Sequence, residues 1–190
     1  MVSMTPTLFL DRDGIINVDH AYVFRQENFH FVDGIFELVA AAKEAGFLVV
    51  VVTNQAGIGR GYYSEADFHQ LMDWVRGQFA RRGGTIDGVY FCPHHPEYGL
   101  GQFRQHCACR KPGPGMFLQA AADLGIDMAA SIMVGDKESD MRAGLAAGVG
   151  TLVLFGEGSR SDIALPVNSL MGVVPLLKNC FSQPVGHNIP

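Results

Sequence analysis

The chain has 190 residues, 48% of them hydrophobic and 17% charged, which is enough to bury the core of one globular domain. Its net charge of -5 is spread without acidic or basic blocks, which argues against nucleic acid or an anionic membrane as partner and favours a small molecule. The longest aliphatic run, 47–52, is too short to span a bilayer, and the first ten residues do not resemble a secretion signal. We therefore expect a single cytoplasmic domain over 1–190. We also expect a monomer, because the sequence has no obvious coiled-coil or association-prone apolar segment.

Short β-rich runs alternate with longer stretches of helical periodicity, the pattern of a parallel sheet covered by helices. The predicted strands cover 7–10, 47–52, 88–91, 131–135 and 151–155. The predicted helices cover 33–46, 115–124 and 139–147, another begins at Ser64, and a weaker one covers 169–178. The second strand is apolar on both faces, as expected of a central strand between two helical layers. The fold class is therefore α/β.

Local signals predict where several helices begin and end. Asp33 is placed to cap the first helix, and Gly46 suits the position just past its end. Ser64 and Asp67 have the spacing of a capping box, and the helix that follows carries an apolar stripe that should be buried. The stripe consists of Phe68, Leu71, Met72, Val75 and Phe79. The residues after Phe181 look like a frayed chain end.

Cysteines and histidines are concentrated in the stretch between the third strand and the next helix. Four cysteines are too few for a disulfide scaffold at this length, and Cys180 stands apart in the tail. The loop from Cys92 to Pro114 has no clear period, which is unusual in a compact domain unless something else organises the loop. We expect a metal ion to do so.

Polar residues follow the predicted strands at positions that should meet at one edge of the sheet, where open α/β sheets bind their ligands. They are Asp11, Asp13, Thr53, Asn54, Arg110, Lys111 and Asp136. Together they supply carboxylates, a hydroxyl and a lysine, the groups that hold a hard cation and a phosphoryl group.

Asp11 and Asp13 are two residues apart at the end of an extended segment, so both can address one site. Taken alone, DRDG could equally be a turn whose aspartates accept hydrogen bonds from backbone N–H groups. Asp136 follows another buried strand, and three carboxylates at one place are hard to stabilise without a divalent cation. Asp140, four residues on at a helix start, is explained by the helix dipole without any function.

The remaining polar positions are more ambiguous. Thr53 could simply end a strand, but glycines follow it and would let the backbone approach a phosphoryl group closely. Arg110 and Lys111 could be a solvated basic pair, although Pro112 and Pro114 restrict the backbone just before a helix and could aim the lysine.

These residues, in this order, resemble the haloacid dehalogenase (HAD) superfamily of phosphohydrolases, and the likeness covers residues 8 to about 150. The resemblance implies a three-layer, doubly wound, mostly parallel sheet. It also implies that Asp11 is the nucleophile, forming an aspartyl phosphate, and that Asp13 is the general acid and then the base. Thr53 and Lys111 would stabilise the transferring phosphoryl group. Magnesium would be held by the Asp11 side chain, the Asp13 carbonyl and Asp136.

Cap domains of this superfamily are inserted between the motifs, and neither gap in this chain is long enough for one. We therefore expect a capless core in which loops select the substrate. One such loop is expected to carry a tetrahedral zinc site made of Cys92, His94, Cys107 and Cys109, although C-x-H with C-x-C is not the common finger spacing. Reduced thiols without metal are the alternative. His95 and His106 are rival ligands for this structural site.

A capless core with such a loop resembles a branch of the superfamily that removes the 7-phosphate of D-glycero-D-manno-heptose 1,7-bisphosphate. The resemblance implies a role in making ADP- or GDP-heptose for lipopolysaccharide core, with Mg²⁺ and Zn²⁺ as cofactors. It also implies a set of substrate-binding residues, namely Asp19, His20, Ala21, Tyr22, Asn54, Gln55, Ala56, Arg110 and Lys137. Two positions depart from the pattern: Ile15 replaces the usual threonine, and Ala56 replaces a common serine.

Two rival functions remain at this point. A histidinol-phosphate phosphatase would share the core and the cysteine loop, but its amine substrate would prefer an acidic pocket. Arg110, Lys137 and Arg60 instead offer positive charge for a second phosphate. A catalytically silent, zinc-stabilised binding protein ranks lower, because every catalytic position is present.

Overall fold

A computed structural model describes residues 4–179 of the chain. The strands are β1 Thr5–Leu10, β2 Leu48–Asn54, β3 Gly88–Cys92, β4 Ile126–Gly135, β5 Thr151–Phe155 and β6 Leu165–Val167. The helices are α1 Ile35–Glu44, α2 Ala56–Gly59, α3 Glu65–Ala80, α4 Gly115–Leu124, α5 Glu138–Ala146 and α6 Val174–Asn179. Within this part of the chain the strands form one parallel sheet in the order β3-β2-β1-β4-β5-β6.

Apolar side chains from alternate strand positions enter two cores, one on each face of the sheet. Leu8 and Leu10 of β1 pack with residues of α1, α3 and α6, whereas Phe9 packs with residues of α4 and α5. The run of valines in β2 divides in the same way, because Val49 and Val51 belong to the first core and Val50 and Val52 to the second. The result is the predicted three-layer α/β arrangement.

The chain order reverses beside β1, since β2 and β3 lie on one side of it and β4, β5 and β6 on the other. Such a switch point leaves a crevice at the carboxyl ends of the neighbouring strands. Between β1 and β2 the structure has only loops, a short 3₁₀ helix at Gln26–Asn28 and α1. This is the arrangement that a capless core predicts.

The predicted local signals at the end of α1 and at the start of α3 are correct, whereas the one at the start of α1 is not. Gly46 follows that helix with a φ of 81°, and Ser64 forms a reciprocal capping box with Asp67 at the start of α3. The prediction for Asp33 is wrong, because Gly34 with a φ of 83° occupies the N-cap of α1 and no side chain caps it. The left-handed backbone at Gly34 brings the chain into the helix without a side-chain acceptor.

Other differences concern short or irregular elements. Strand β4 begins at Ile126 rather than at 131, because Thr5 and Pro6 pair with residues 126 and 127 before a register shift to Leu8 and Ile132. The alternating pattern is broken at this bulge, which hides the first half of the strand. Strand β6 and the one-turn helix α2 were not predicted. The weak last helix is divided into a 3₁₀ turn at Leu170–Val173 and α6.

Residues 180–190, which include Cys180 and the predicted frayed end, lie outside the described residues. Among residues 4–179, no helix is long and apolar enough to cross a bilayer.

Candidate active site at the carboxyl ends of the strands

Lys111 joins two carboxylates at the centre of the crevice. Its Nζ lies 3.0 Å from Asp11 Oδ1 and 2.7 Å from Asp140 Oδ1, and it also donates to the Val52 carbonyl oxygen at 2.8 Å. Asp11 directly follows β1, and its Oδ1 accepts a second hydrogen bond from the Arg12 N–H at 2.8 Å. All three ionisable side chains are buried, so their orientations are fixed by one another.

Burial and charge–charge contacts shift the pKa values of Asp11 and Lys111 in opposite directions. Burial, reinforced by Asp140 and Asp13, raises the pKa of Asp11 to about 7 although Lys111 opposes the shift. For Lys111, burial lowers the pKa, but Asp11 and Asp140 outweigh it and the pKa ends above its ordinary value. The lysine is therefore a permanent cation, whereas Asp11 needs further positive charge to be fully ionised near neutral pH.

Asp136 completes a carboxylate cluster, which consists of Asp11, Asp136 and Asp140; one carboxylate oxygen of each lies within 4.8 Å of the other two. Burial raises the pKa of Asp136 to about 6, and its buried Oδ1 finds no hydrogen-bond partner among residues 4–179. A Cβ on Gly14 would lie 2.3 Å from Asp136 Oδ2, so only glycine fits there. Asp136 Oδ1 is buried and without a partner among the described residues, and the pKa values of Asp11 and Asp136 are raised. Both observations fit a binding site for a divalent cation that prefers oxygen ligands.

Asp13 is held on both of its carboxylate oxygens. Its Oδ1 accepts from Arg12 Nη2 at 2.7 Å, Arg12 Nε at 3.2 Å and Asn17 Nδ2 at 3.0 Å. Arg12 is fully buried, lies over the Phe68 ring at 5.9 Å and also donates to the Val23 carbonyl oxygen. A buried guanidinium requires a counter-charge, and Asp13 supplies it.

Gln55 links Asp13 to the end of β2. Its Nε2 donates to Asp13 Oδ2 at 3.1 Å and to Thr53 Oγ1 at 2.8 Å, while its Oε1 accepts from the Tyr63 hydroxyl. Burial raises the pKa of Tyr63 to about 12, so that hydroxyl remains a donor. These contacts place Thr53 in the same hydrogen-bonded group as Asp13.

The loop that carries Lys111 is tied to β2 and to the histidine segment. Asn54 exchanges two hydrogen bonds with the backbone of Lys111, at 3.0 and 3.2 Å. Arg110 Nη1 donates to the His94 carbonyl oxygen at 3.1 Å. The two basic residues are therefore positioned by the fold, which excludes the solvated pair considered above.

A cavity of about 580 Å³ opens over these residues. The predicted site residues that line it are Asp11, Asp13, Asp19, Ala21, Tyr22, Asn54, Gln55, Ala56, Arg110, Lys111 and Lys137. Thr53 and Asp136 are not among the lining residues, and His20 lines a neighbouring cavity of about 170 Å³.

The rim of the cavity contains an exposed ion pair and an unusual turn. Lys137 Nζ lies 3.2 Å from Asp19 Oδ2, and Asp19 Oδ1 accepts from the Ala21 N–H at 3.0 Å. Burial raises the pKa of Asp19, but the Ala21 N–H and Lys137 outweigh it and the net shift is downward. Ala21 and Tyr22 both have a positive φ, of 58° and 53°, which costs energy in residues with a Cβ.

Sequence reasoning missed several residues of the site. Tyr63, Ser139 and Asp140 line the cavity, and the fully buried Arg12 donates to Asp13. Asp140 had a signal in the GDxxxD spacing, but its position at a helix start offered a sufficient explanation. It does cap α5 by accepting from the Lys137 N–H at 3.1 Å, and it also pairs with Lys111.

The two departures from the superfamily pattern lie in different places. Ile15 is fully buried in the core that contains α1 and α3, so it takes no part in the cavity surface. Ala56 lines the cavity and begins α2. The loss of a hydroxyl at position 56 therefore removes a potential hydrogen bond to a ligand.

The thiol cluster, defined as Cys92, His94, Cys107 and Cys109, is a second candidate ion site. Its sulfur–sulfur distances are 3.0, 3.2 and 3.5 Å, and His94 Nδ1 lies 3.4 and 3.6 Å from two of the sulfurs. A disulfide needs about 2.05 Å, whereas ligands around zinc are roughly 3.8 Å apart for Zn–S bonds of about 2.3 Å. The three cysteines are free, and one ligand atom from each of the four side chains lies within 4.8 Å of the other three.

The rival ligand His95 points elsewhere, because its Nδ1 accepts from the N–H groups of Glu97 and Tyr98. Burial, reinforced by the Cys109 thiol, raises the pKa of Cys92 above its ordinary value. A cation at this place would be needed to hold that side chain as a thiolate.

A family model described as HAD-hydrolase-like matches residues 108–179. The crystal structure of D,D-heptose 1,7-bisphosphate phosphatase from B. bronchiseptica, complexed with magnesium and phosphate, is 30% identical with a TM-score of 0.79. The match covers 92% of this chain and 99% of that one. Together with the strand-end carboxylates and lysine, these similarities define the class of protein as a HAD-type phosphohydrolase.

Two curated relatives narrow the class. D-glycero-alpha-D-manno-heptose-1,7-bisphosphate 7-phosphatase from Burkholderia mallei is 55% identical over 174 residues, 90% of this chain and 92% of that protein. D-glycero-beta-D-manno-heptose-1,7-bisphosphate 7-phosphatase from Vibrio cholerae is 55% identical over 153 residues, 80% of this chain and 82% of that one. The chain belongs to the family of D-glycero-D-manno-heptose-1,7-bisphosphate 7-phosphatases. This membership favours the heptose over histidinol phosphate, and an enzyme over a silent binding protein.

Proposed function

We propose that this chain removes the 7-phosphate of D-glycero-D-manno-heptose 1,7-bisphosphate through a phosphoryl group carried on Asp11. The observation that carries the proposal is the buried Asp11–Lys111 contact of 3.0 Å at the floor of an open cavity, in a chain about half identical to relatives named for this reaction. The route to ADP- or GDP-heptose of lipopolysaccharide is part of the proposal.

In the first step Asp11 attacks phosphorus and the bond to the sugar oxygen breaks. Lys111, a permanent cation here, offsets charge on the phosphoryl oxygens, and the Thr53 hydroxyl is placed to donate to them. Asp13 gives its proton to the leaving sugar oxygen. In the second step water attacks the phosphorus and gives a proton to Asp13, the bond between Asp11 and phosphorus breaks, and inorganic phosphate leaves, which restores both side chains.

Mg²⁺ fits the carboxylate cluster, and we propose that the Asp11 side chain, the Asp13 carbonyl oxygen and Asp136 hold it. When bound, the ion supplies positive charge that keeps Asp11 ionised and stabilises the phosphoryl group. Asp140 already caps α5 and pairs with Lys111, so we leave it outside the ligand set.

The second phosphate of the substrate needs cations beyond Lys111. Arg110 and Lys137 both line the cavity and would bind it, and the loop of Asp19, Ala21 and Tyr22 would contact the sugar. Asn54, Gln55 and Ala56 line the opposite side, and His20 would need to turn from its neighbouring cavity to join them. The two anomers remain equal candidates, because relatives named for each are 55% identical.

We propose in addition that the thiol cluster binds one structural Zn²⁺. All four positions would be filled by protein side chains, which leaves no open place for a substrate. The ion would stabilise the loop that carries Arg110, whose guanidinium is bonded to the His94 carbonyl oxygen.

The test is a Mg²⁺-dependent phosphate-release assay with both anomers of the heptose bisphosphate, histidinol phosphate, fructose 1,6-bisphosphate and sugar monophosphates. We expect one heptose anomer to have the highest kcat/KM. A preference for histidinol phosphate over both anomers contradicts the proposal. We also propose a cytoplasmic monomer formed by a single domain over 1–190, and gel filtration of the same sample tests the monomeric state.

A further inference from the structure

The side chain of Gln55 is fully occupied by contacts inside the protein. It is 2% exposed, both of its amide hydrogens have acceptors in Asp13 and Thr53, and its oxygen accepts from Tyr63. An amide has only two N–H donors. In this arrangement Gln55 has no donor left for a substrate hydroxyl or phosphate.

The two oxygens of Asp13 have different surroundings. Oδ1 accepts three hydrogen bonds from N–H groups of Arg12 and Asn17, so its lone pairs are fully engaged. Oδ2 accepts only from Gln55 among residues 4–179. A proton on Asp13 therefore belongs on Oδ2, and Gln55 determines where that oxygen points.

Tyr63 determines the orientation of the amide. Its hydroxyl donates to Gln55 Oε1, and its ring stacks on Phe24 at 5.1 Å with an angle of 10°. If the amide were reversed, its oxygen would face Asp13 Oδ2 and Thr53 Oγ1, and both would lose the N–H donor that they have in this structure. The hydroxyl and the carboxylate thus select the same orientation.

We propose that Gln55, oriented by Tyr63, is a positioning residue for Asp13 and acts on proton transfer to the leaving group rather than by binding the sugar through its side chain. This inference rests on the proposed function, because it takes Asp13 as the acid. As the bond from phosphorus to the leaving oxygen breaks and the bond to Asp11 forms, the proton moves from Asp13 Oδ2 to that oxygen. A sugar alkoxide needs the proton, whereas a nitrophenolate leaves without it.

The experiment compares Gln55→Met, which keeps the length and removes both donors, with Tyr63→Phe, which keeps the stacked ring and removes the hydroxyl. With the heptose bisphosphate we expect kcat to fall about tenfold or more in Gln55→Met and about threefold in Tyr63→Phe, with KM changed less than about twofold. With p-nitrophenyl phosphate, the burst of nitrophenolate in the first turnover should stay within about twofold of the parent.

Two controls separate positioning from general damage. Tyr62→Phe alters the neighbouring tyrosine, which is 54% exposed, and should leave all rates unchanged. The double variant Gln55→Met with Tyr63→Phe should be no slower than Gln55→Met alone, since Tyr63 acts through Gln55. Thermal unfolding midpoints check that each variant is folded, and Tyr63→Phe by itself decides the matter if Gln55→Met is not.

The outcomes distinguish this inference from the proposed function. If the parent is active but Gln55→Met raises KM for the sugar and leaves kcat intact, the side chain binds substrate and the inference is overturned. It is also overturned if the nitrophenolate burst slows as much as sugar-phosphate turnover, or if both kcat values are unchanged. If the parent hydrolyses no phosphate ester with Mg²⁺, the proposed function itself is wrong, and the inference is wrong with it.

Discussion

The carboxylate cluster and the thiol cluster both gather ligands for an ion, but they differ in charge balance and in access. Lys111 partly neutralises the carboxylate cluster, which lies at the floor of a cavity. In the thiol cluster the sulfurs and the His94 ring nitrogen face one another, and the Arg110 guanidinium donates to the His94 carbonyl oxygen. The difference indicates an open reactive site in the first case and a closed structural one in the second.

The clusters are nevertheless connected. The Gln55 N–H donates to the Cys92 carbonyl oxygen at 2.8 Å, and Arg110 is bonded to the His94 carbonyl oxygen. The backbone of the thiol cluster therefore supports two residues of the cavity. Loss of a metal ion from the thiol cluster should therefore alter the geometry of the cavity, whereas loss of a catalytic group should not affect the thiol cluster.

The largest expected effect is that of Asp11→Asn, which removes the proposed nucleophile. Phosphate release from the heptose bisphosphate should fall by about 10³-fold or more, with zinc content and the unfolding midpoint nearly unchanged. Asp73→Asn, on the exposed side of α3, is the matched control. Turnover retained within tenfold would remove the aspartyl-phosphate mechanism.

Cys107→Ala tests whether the thiol cluster binds a structural zinc ion. One zinc per chain should be present after dialysis of the parent and absent from the variant, and Tm should fall by roughly 10 °C because a closed metal site contributes to folding. The measurements are metal analysis and thermal unfolding. A parent without zinc whose Tm is insensitive to the substitution contradicts the structural-metal proposal.

Asp140→Asn should have an intermediate effect. Asparagine retains an acceptor for the Lys137 N–H, but Lys111 would then face a single carboxylate and hold Asp11 more tightly. We expect kcat to fall roughly 10- to 100-fold with little change in KM. Asp123→Asn on the exposed face of α4 is the control, and an equal loss in both variants counts against the specific role.

The pH dependence of stability tests whether the carboxylate cluster is short of positive charge. In the metal-free protein, burial raises the pKa of Asp11 to about 7 and of Asp136 to about 6. The native state then retains protons that the unfolded chain releases, so the free energy of unfolding should fall as pH rises from about 4 to about 7.

The proposed Mg²⁺ ion would bind the ionised carboxylates, so it should raise Tm by roughly 3–5 °C more at pH 8 than at pH 5. The variant Asp136→Asn should weaken this difference, which separates the cluster from other titrating groups. An equal effect of Mg²⁺ at both pH values contradicts the interpretation.

The smallest expected effect on stability is that of Lys137→Ala at the exposed rim. Its ion pair with Asp19 is 53% and 37% exposed, so Tm should change by about 1 °C or less. KM for the bisphosphate should rise several-fold, whereas KM for a sugar monophosphate should not. If KM rises equally for the bisphosphate and the monophosphate, Lys137 contacts the reacting phosphate and not the second one.

Much of the site was predictable because parallel strands end at the same edge of a sheet. Asp11, Asp13, Thr53 and Asp136 each follow an apolar strand, and a strand end is visible in the sequence. Lys111 was predictable only through its flanking prolines and the family pattern. The thiol cluster was predictable because few structures other than a metal site gather cysteines and histidine in a loop.

The partners of these residues could not be predicted. Asp140 has a sufficient local explanation at a helix start, and only the packing of β2, β4 and the Lys111 loop brings it to the lysine. An arginine within a charged motif is expected at the surface, yet Arg12 is fully buried against Asp13 and Phe68. Contacts between distant segments depend on tertiary packing, for which a single sequence has no local signal.

The sequence by itself therefore determined the α/β class, the carboxylate positions and the thiol cluster, because each depends on periodicity or spacing along the chain. The tertiary structure decided which oxygen of each aspartate is engaged, where Gln55 points and what faces the cavity. These properties depend on contacts among side chains from three or more segments of the chain. The same local sequence pattern is compatible with many different sets of such contacts.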